Sequence, residues 1–390
     1  MSSRSENKIT SVARWIVIIA LTVGSSLVPR GAAAAAAASN QPCTGRDAAG
    51  LNRLFQGQVG RVVGSDYVRP FLLPNGNALI FMQDVFLAPV KASKTVTNLA
   101  KAGFAHNAAV VLDDRGCVLR TLAGGRSYIG SSRTRTLSRW FWAMGGAIGA
   151  DGNLHVMFAE MRNPNRTGAA IGAAPVATWQ ATIDPTTLAL RSFGPAADDS
   201  ADLFGWAVAS DDAFTYLYSH CYRQFIPGEP FGHDTSCSGE VRVARVPRGE
   251  FDSRLEYYAG GRWVTDRSAA TRLDFPGVRT VNPVSIQNLD GIFVSVAKEG
   301  DWWGTKIFVD TARSPVGPWT TIATIVPANK CAGCNTYFAS LMPWRETNGA
   351  FVVALSNNAW DMRRVAYANP WIYRNSVIEV LDNGREASHE

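Results

Sequence analysis

Apolar residues recur along the chain in short runs joined by tight turns, and the first pair shows the pattern most clearly. Residues 68–73 and 78–81 form two apolar runs, the first interrupted by Arg69, and Pro74-Asn75-Gly76-Asn77 stands between them. An Asn-Gly pair between apolar runs favours a type I′ turn, because both central residues of that turn need positive φ. The pattern predicts a β-hairpin, with Asp66 at the start of its first strand and Asp84 at the end of its second. Because the two strands are antiparallel, both aspartates are expected at the same rim.

The same hairpin pattern recurs four more times, with turns near positions 152, 212, 291 and 349. Each of the first four hairpins is followed by two further predicted strands, whereas the last is followed by one. Repetition at this period is typical of a β-propeller, which has four strands in each blade. The sequence therefore predicts an all-β, five-bladed β-propeller. A strand at residues 55–63 is expected to close the ring by completing the blade that contains Ser376–Leu381.

The N-terminal segment resembles an export signal. A basic region ends at Arg14, the apolar run Trp15–Val28 follows, and the small-residue tract Ala32–Ala38 offers cleavage sites. An uncleaved anchor is the alternative, although the apolar run is short for a bilayer span. The predicted organisation is a signal peptide at 1–38, a linker at 39–54, the propeller at 55–382 and a polar tail at 383–390. The protein is expected to be secreted or extracytoplasmic, with no membrane segment beyond the signal.

Composition narrows the possible partners. The formal net charge is +6, and half of it lies in residues 1–38. No basic run stands out in the remainder, which argues against a nucleic-acid-binding protein. We expect no cofactor, no metal and a monomeric protein.

All six cysteines follow the predicted signal, and an even number in an exported chain favours disulfides. We expect three pairs: Cys43–Cys117, Cys221–Cys237 and Cys331–Cys334. The C-x-x-C pair at 331 and 334 is also compatible with half a zinc site or a redox pair. A zinc site would need a second pair or nearby histidines, and neither occurs at ligand spacing.

One rim of the predicted ring collects groups able to do chemistry. The start of each first strand, the end of each second strand and the start of each third strand all lie on that rim. Three carboxylates there are candidate catalytic groups: Asp66, Asp84 and Glu160. The candidate substrate-binding residues are His106, Asn107, Trp140, Trp206, His220, Asn282 and Tyr337.

Such a mixture suits the cleavage of a glycosidic bond. Carboxylates crowded together push their pKa values apart, which separates an acid from a base. Aromatic rings suit the apolar faces of sugars, and glycoside hydrolysis uses two carboxyl groups that flank the scissile bond. Each residue also has a structural alternative. Asp66 and Asp84 could cap turns, Glu160 could pair with Arg162, and the tryptophans could plug the channel.

Four segments resemble a family of secreted actinobacterial five-bladed propeller proteins that includes endo-D-arabinanases acting on cell-wall arabinan. They are Asp66–Leu87, His106-Asn107, Ser314–Thr320 and Cys331–Leu341. The chain is also similar to the five-bladed arabinanase and xylosidase glycoside hydrolases. The resemblance implies that Asp66 and Asp84 are catalytic and that the substrate is a cell-wall polysaccharide such as arabinan. Residues 82–85, Met-Gln-Asp-Val, depart from the family's usual Gly-Asp-Thr, which bears on the choice of substrate.

The expected mechanism assigns a role to each acid. Asp66 is the base or nucleophile, and Asp84, or else Glu160, is the proton donor. The resemblance implies inversion at the anomeric carbon. The alternative function is a non-catalytic carbohydrate-binding propeller of the cell envelope, and a ring that binds other proteins is a third class.

Overall fold

A computed structural model describes residues 43–57, 60–89, 95–124, 127–130, 139–162, 173–220, 240–277, 281–299 and 304–381. The side chains of residues 56–57 and 281–284 are not described. The predicted signal peptide, the pair Cys221–Cys237 and the polar tail at 383–390 lie outside these ranges. No helix in the described ranges is long and apolar enough to cross a membrane.

Twenty described strands form five antiparallel sheets, each made of strands that follow one another in the chain. The first sheet contains β1 (Val62–Leu72), β2 (Ala78–Leu87), β3 (Gly103–Leu112) and β4 (Val118–Leu122). The second contains β5 (Arg139–Ile148), β6 (Leu154–Arg162), β7 (Ala174–Ile183) and β8 (Leu190–Pro195). The third contains β9 (Ala207–Ser210), β10 (Phe214–Tyr218), β11 (Val243–Pro247), β12 (Glu256–Tyr258) and β13 (Trp263–Val264).

The last two sheets complete the set. The fourth contains β14 (Val281–Leu289), β15 (Ile292–Glu299), β16 (Ile307–Ala312) and β17 (Thr320–Ile325). The fifth contains β18 (Cys334–Arg345), β19 (Phe351–Ala359) and β20 (Ser376–Val380). Short 3₁₀ turns lie at Leu99–Lys101, Arg267–Ala269 and Pro370–Tyr373, and a π-helical turn lies at Met362–Ala366.

The five sheets are arranged as the blades of a propeller. The first strand of each sheet contacts the first strand of the next, in the order β1, β5, β9, β14, β18 and back to β1. Apolar residues fill the spaces between neighbouring blades. Phe81 of the first blade, for example, packs edge-on against Phe158 of the second, with ring centres 5.9 Å apart. The prediction of an all-β, five-bladed β-propeller is confirmed.

The predicted closing strand at 55–63 is wrong. Residues Ala48–Gly57 form a helix, α1, and β1 begins at Val62. Ala48, Leu51, Leu54 and Phe55 are buried, and this spacing places them on one helical face. The N-terminal segment instead caps the fifth blade: the Asn52 amide donates to the Val377 carbonyl at 2.6 Å and accepts from its N–H at 2.8 Å. The Asn52 side chain thereby pairs the backbone N–H and C=O of Val377 at the edge of β20, as a neighbouring strand would.

Two of the predicted disulfides are present. Cys43–Cys117 joins the segment before α1 to the first blade, across 74 residues. Cys331–Cys334 closes a short loop at the start of β18. The first bond therefore ties the beginning of the described chain to the blade that carries Asp66 and Asp84.

Candidate active site

The backbone that carries Asp66 and Asp84 is irregular. Asp66 pairs with Gln83, and Gly64 pairs with Phe86, so that Asp84 and Val85 together face a single residue of β1. Asp84 has a φ of 43°, in the left-handed region that non-glycine residues rarely occupy. Such a conformation costs roughly 1–3 kcal/mol and is concentrated at functional sites. This irregularity is a β-bulge, which changes the direction in which the side chains of β2 point. It leaves both aspartates at the same rim, as predicted.

Asp66 is enclosed by groups from the fifth blade. The Tyr337 hydroxyl on β18 donates a hydrogen bond to its Oδ1. Burial, and after it the negative charge of Asp84, raise the pKa of Asp66 well above the ordinary value. Hydrogen bonds from Tyr337 and Tyr373 lower the pKa and offset only part of that shift. Asp66 therefore keeps its proton at a pH where an exposed aspartate would have lost it.

Asp84 has different surroundings. Its Oδ1 lies 2.8 Å from His106 Nδ1, and because an ionised carboxylate only accepts, the imidazole is the donor. The Trp142 indole N–H donates to the same oxygen at 3.2 Å. Oδ2 has no hydrogen-bond partner among the described side chains, so it is the oxygen that can face a substrate or a water molecule. The Tyr373 hydroxyl holds the Asp84 backbone by donating to its carbonyl at 3.0 Å.

A row of aromatic rings continues from this pair. The His106 ring stacks on Trp140 with centres 4.7 Å apart, and Phe104 packs edge-on against His106 at 4.9 Å. Phe104 is 40% exposed. Trp140 is buried, so it supports His106 instead of offering a free face to a sugar. Phe104 is therefore the ring beside the pair that a ligand could reach.

Glu160 does not join the pair. Its carboxylate accepts two bonds from Arg139, at 2.7 and 2.9 Å, and others from Arg162 and Trp179, each at 2.8 Å. Its cross-strand partner is Phe141, which places it on the opposite face of the blade from Trp142. Burial alone raises the pKa of Glu160, but the bonds and charges of the two arginines outweigh it and lower the pKa. The prediction of Glu160 as a proton donor is corrected, because its partners stabilise the charged form.

Asn107 is also corrected as a sugar ligand. It is fully buried, and its Nδ2 donates to the carbonyls of Ile129 at 2.8 Å and Phe141 at 2.9 Å. Its Oδ1 accepts from the Ile129 N–H at 2.8 Å. The side chain joins the first blade to the second and has no donor left for a ligand.

Trp206 and His220 lie inside the ring instead of at its mouth. Trp206 is fully buried, and His220 lies against it with ring centres 4.2 Å apart. Burial, followed by the charge of Arg69, lowers the pKa of His220 to about 3, so it is neutral at neutral pH. Neither residue presents a free face to a sugar. The side chain of Asn282 is outside the described part of the structure, and that of Tyr337 is bound to Asp66.

The predicted residues did not include Tyr373 and Phe104 of this site, nor Arg69 elsewhere on β1. Tyr373 lies in a 3₁₀ turn that has no periodic pattern, so its position depends on how the chain returns across the fifth blade. Arg69 did carry a signal, because it is a charged residue within the apolar run of β1. Within the described ranges, no group of three or more His, Cys, Asp or Glu side chains could hold a metal.

Solved structures of other proteins share this architecture. A presumed hydrolase from Bacteroides ovatus is 16% identical with a TM-score of 0.63, over 84% of this chain and 88% of the other. A family 43 arabinoxylan arabinofuranohydrolase from Bacillus subtilis is 14% identical with a TM-score of 0.49, over 84% and 66%. A GH43_1 enzyme from Xanthomonas citri, complexed with xylose, is 14% identical with a TM-score of 0.47, over 84% and 91%. The first likeness concerns the fold alone, and the other two are too distant to support an inference.

Sequence comparison assigns the family. The chain matches no curated protein. The sequence profile of one family matches residues 50–380, which include most of α1 and all five blades. The chain therefore belongs to the DUF5005 family, which is described as a domain of unknown function.

Proposed function

We propose that the protein is a glycoside hydrolase that cleaves a polysaccharide of the cell envelope. One observation carries the proposal: two carboxyl groups lie at one rim in different surroundings, and those of Asp66 raise its pKa. Burial and a neighbouring charge raise the pKa of Asp66, whereas Asp84 accepts hydrogen bonds from His106 and Trp142. A pair of carboxyl groups made unequal by their environments is what general acid–base cleavage of a glycoside requires.

The surroundings favour the reverse of the roles expected from the sequence. Because the pKa of Asp66 is raised, we assign it as the general acid that protonates the glycosidic oxygen as the C–O bond breaks. Asp84 is the general base. Its free Oδ2 takes a proton from a water molecule whose oxygen attacks the anomeric carbon from the opposite face, so the product anomer is inverted. His106 and Trp142 orient the Asp84 carboxylate.

We further propose arabinan as the substrate. The segments around Asp66, Asp84 and the C-x-x-C pair support this through their resemblance to propeller endo-D-arabinanases. The exposed ring of Phe104 beside His106 offers a sugar an apolar surface next to the reacting pair. The predicted signal at 1–38 and the two disulfides support export to the envelope, where such a substrate occurs. We propose that the exported protein acts as a monomer.

The test is hydrolysis of purified wall polysaccharides, with arabinan, xylan and galactan compared by the release of reducing ends. Wild type is expected to act on arabinan, and Asp66→Asn and Asp84→Asn are each expected to lose turnover. Asp198→Asn is the matched control. Asp198 is also buried and accepts a bond from a tyrosine, Tyr257, at 2.6 Å, but it pairs with Arg267.

The outcomes separate the alternatives. Turnover by the control but by neither site variant supports the proposal, and proton NMR of the first product then reports the anomer formed. Wild-type binding of a glycan without turnover would instead identify a non-catalytic carbohydrate-binding propeller. Hydrolysis by Asp66→Asn at the wild-type rate would rule out the assigned mechanism.

A further inference from the structure

A cation lies inside the ring without a carboxylate partner. Arg69 on β1 is 4% exposed, and its Nε and Nη2 have no hydrogen-bond partner among the described residues. The guanidinium carbon lies 3.6 Å from the centre of the Tyr67 ring and 4.8 Å from that of the Trp206 ring. The rings attract the charge, but they do not take the place of acceptors for the N–H groups.

The titratable groups around Arg69 do not neutralise it. Burial lowers the pKa of Arg69 to about 10, so the group is charged at neutral pH. His220 has a pKa near 3 and carries no charge. Burial raises the pKa of Tyr67, so its phenol is also neutral. Among the described ion pairs, none includes Arg69. A buried, unpaired charge of this kind is unusual in proteins, which pair such charges or supply a counter-ion.

Arg69 lines a cavity of about 20 Å³ between the inner strands of the first four blades. Its wall includes Gly145, Gly146, Val208, Ser285 and Gln287. The Ser285 oxygen accepts from the Leu341 N–H at 3.1 Å, which leaves its O–H able to donate. The Gln287 amide makes no described side-chain hydrogen bond and is a further donor. The residues that line the cavity thus include one cation and two side-chain donors, and no carboxylate.

We propose that this cavity binds a small monovalent anion such as chloride, held by Arg69 with Ser285 and Gln287 as further donors. The volume suits one monatomic ion, since a cavity of about 10–15 Å³ already holds a single water. Phosphate, sulfate and sugar acids are too large. The site is separate from the Asp66–Asp84 pair and does not depend on the protein being a hydrolase.

The first test uses the purified wild-type protein. Its thermal midpoint is measured against chloride concentration, with sulfate keeping the ionic strength constant. A ligand that binds only the folded state raises the midpoint with the logarithm of its concentration, so chloride and bromide should raise it by a few degrees over two decades. In crystals grown in bromide, an anomalous peak is expected beside the Arg69 guanidinium.

Variants then locate the effect. Arg69→Met should abolish the halide dependence, and Ser285→Ala should shift it to higher chloride. Arg245→Met is the matched control, because Arg245 also lies over two rings, at 3.9 and 4.4 Å, but is paired with Glu256 at 2.9 Å. It should lower the midpoint equally at every chloride concentration.

The bromide experiment on wild type decides the question if Arg69→Met does not fold. An anomalous peak in the cavity supports the proposal. A midpoint that halides and sulfate affect equally, together with no peak, would show that water solvates Arg69 and would overturn the proposal.

Discussion

Tyr337 of the fifth blade donates a hydrogen bond to Asp66 of the first, across 271 residues of sequence. The two residues meet where the ring closes, because β18 and β1 are neighbouring inner strands. The protonation of the candidate acid thus depends on the closure of the propeller.

Tyr337→Phe should shift the alkaline limit of activity to higher pH. The phenol of Tyr337 lowers the pKa of Asp66, although by less than burial and Asp84 raise it. Its removal raises the pKa further, so Asp66 stays protonated to higher pH. The measurement is the pH profile of kcat/KM. Tyr257→Phe, which removes the same bond to Asp198, should leave the profile unchanged. A limit that moves to lower pH would contradict the assignment of Asp66 as the acid.

Asp66→Asn should change how the free energy of unfolding depends on pH. The pKa of Asp66 is raised in the folded state, so the unfolded chain loses this proton first, at about pH 3.9. Wild type therefore loses stability as pH rises from that value towards the folded pKa, and Asp66→Asn removes the loss. Urea unfolding at several pH values measures it.

Asp198→Asn should change the pH dependence of the free energy of unfolding in the opposite direction. Burial raises the pKa of Asp198, but hydrogen bonds from Ser200 and Tyr257 outweigh burial and the pKa is lowered. Asp198 stabilises the fold above the pKa that it has in the unfolded chain. This contribution is lost as the pH falls through the lower pKa that it has in the folded protein. If the free energy of unfolding changed with pH in the same way for both variants, the pKa of Asp66 would not be raised in the folded state.

Trp142→Phe should reduce kcat by about 10- to 100-fold while the fold is kept. The change keeps the ring but removes the N–H that donates to Asp84 Oδ1, and a bond to a charged group is worth about 1.5–3 kcal/mol. Trp179→Phe removes an indole bond to the Glu160 carboxylate instead and should leave kcat unchanged. Steady-state kinetics on the best polysaccharide compares the two, and equal losses would argue against a special role for Trp142.

Asn52→Ala should weaken the attachment of α1 to the fifth blade. The change removes both hydrogen bonds to Val377 and exposes the edge of β20. The expected loss is about 1–3 kcal/mol, measured by urea unfolding. Asn153→Ala, in an exposed turn, should cost less. An unchanged free energy of unfolding would mean that α1 does not hold the fifth blade.

The errors of prediction share a cause. Glu160 and Asn107 both stand at the predicted rim, but Arg139 and the Phe141 carbonyl that occupy them lie on another strand, β5. Residues 55–57 were assigned to a strand although the buried positions from Ala48 to Phe55 have helical spacing. The interpretation of each segment depended on neighbours that a local pattern does not include.

The sequence by itself determined the number of blades and the rim on which Asp66 and Asp84 lie. Both follow from local physics, because turn residues and alternating apolar positions act within a few residues of each other. Only the tertiary structure decided that the pKa of Asp66 is raised. Burial, the charge of Asp84 and the hydroxyls of Tyr337 and Tyr373 set that pKa, and the two tyrosines approach Asp66 only when the fifth blade closes against the first. The electrostatic environment of a buried group depends on distances in space, which the order of residues along the chain does not contain.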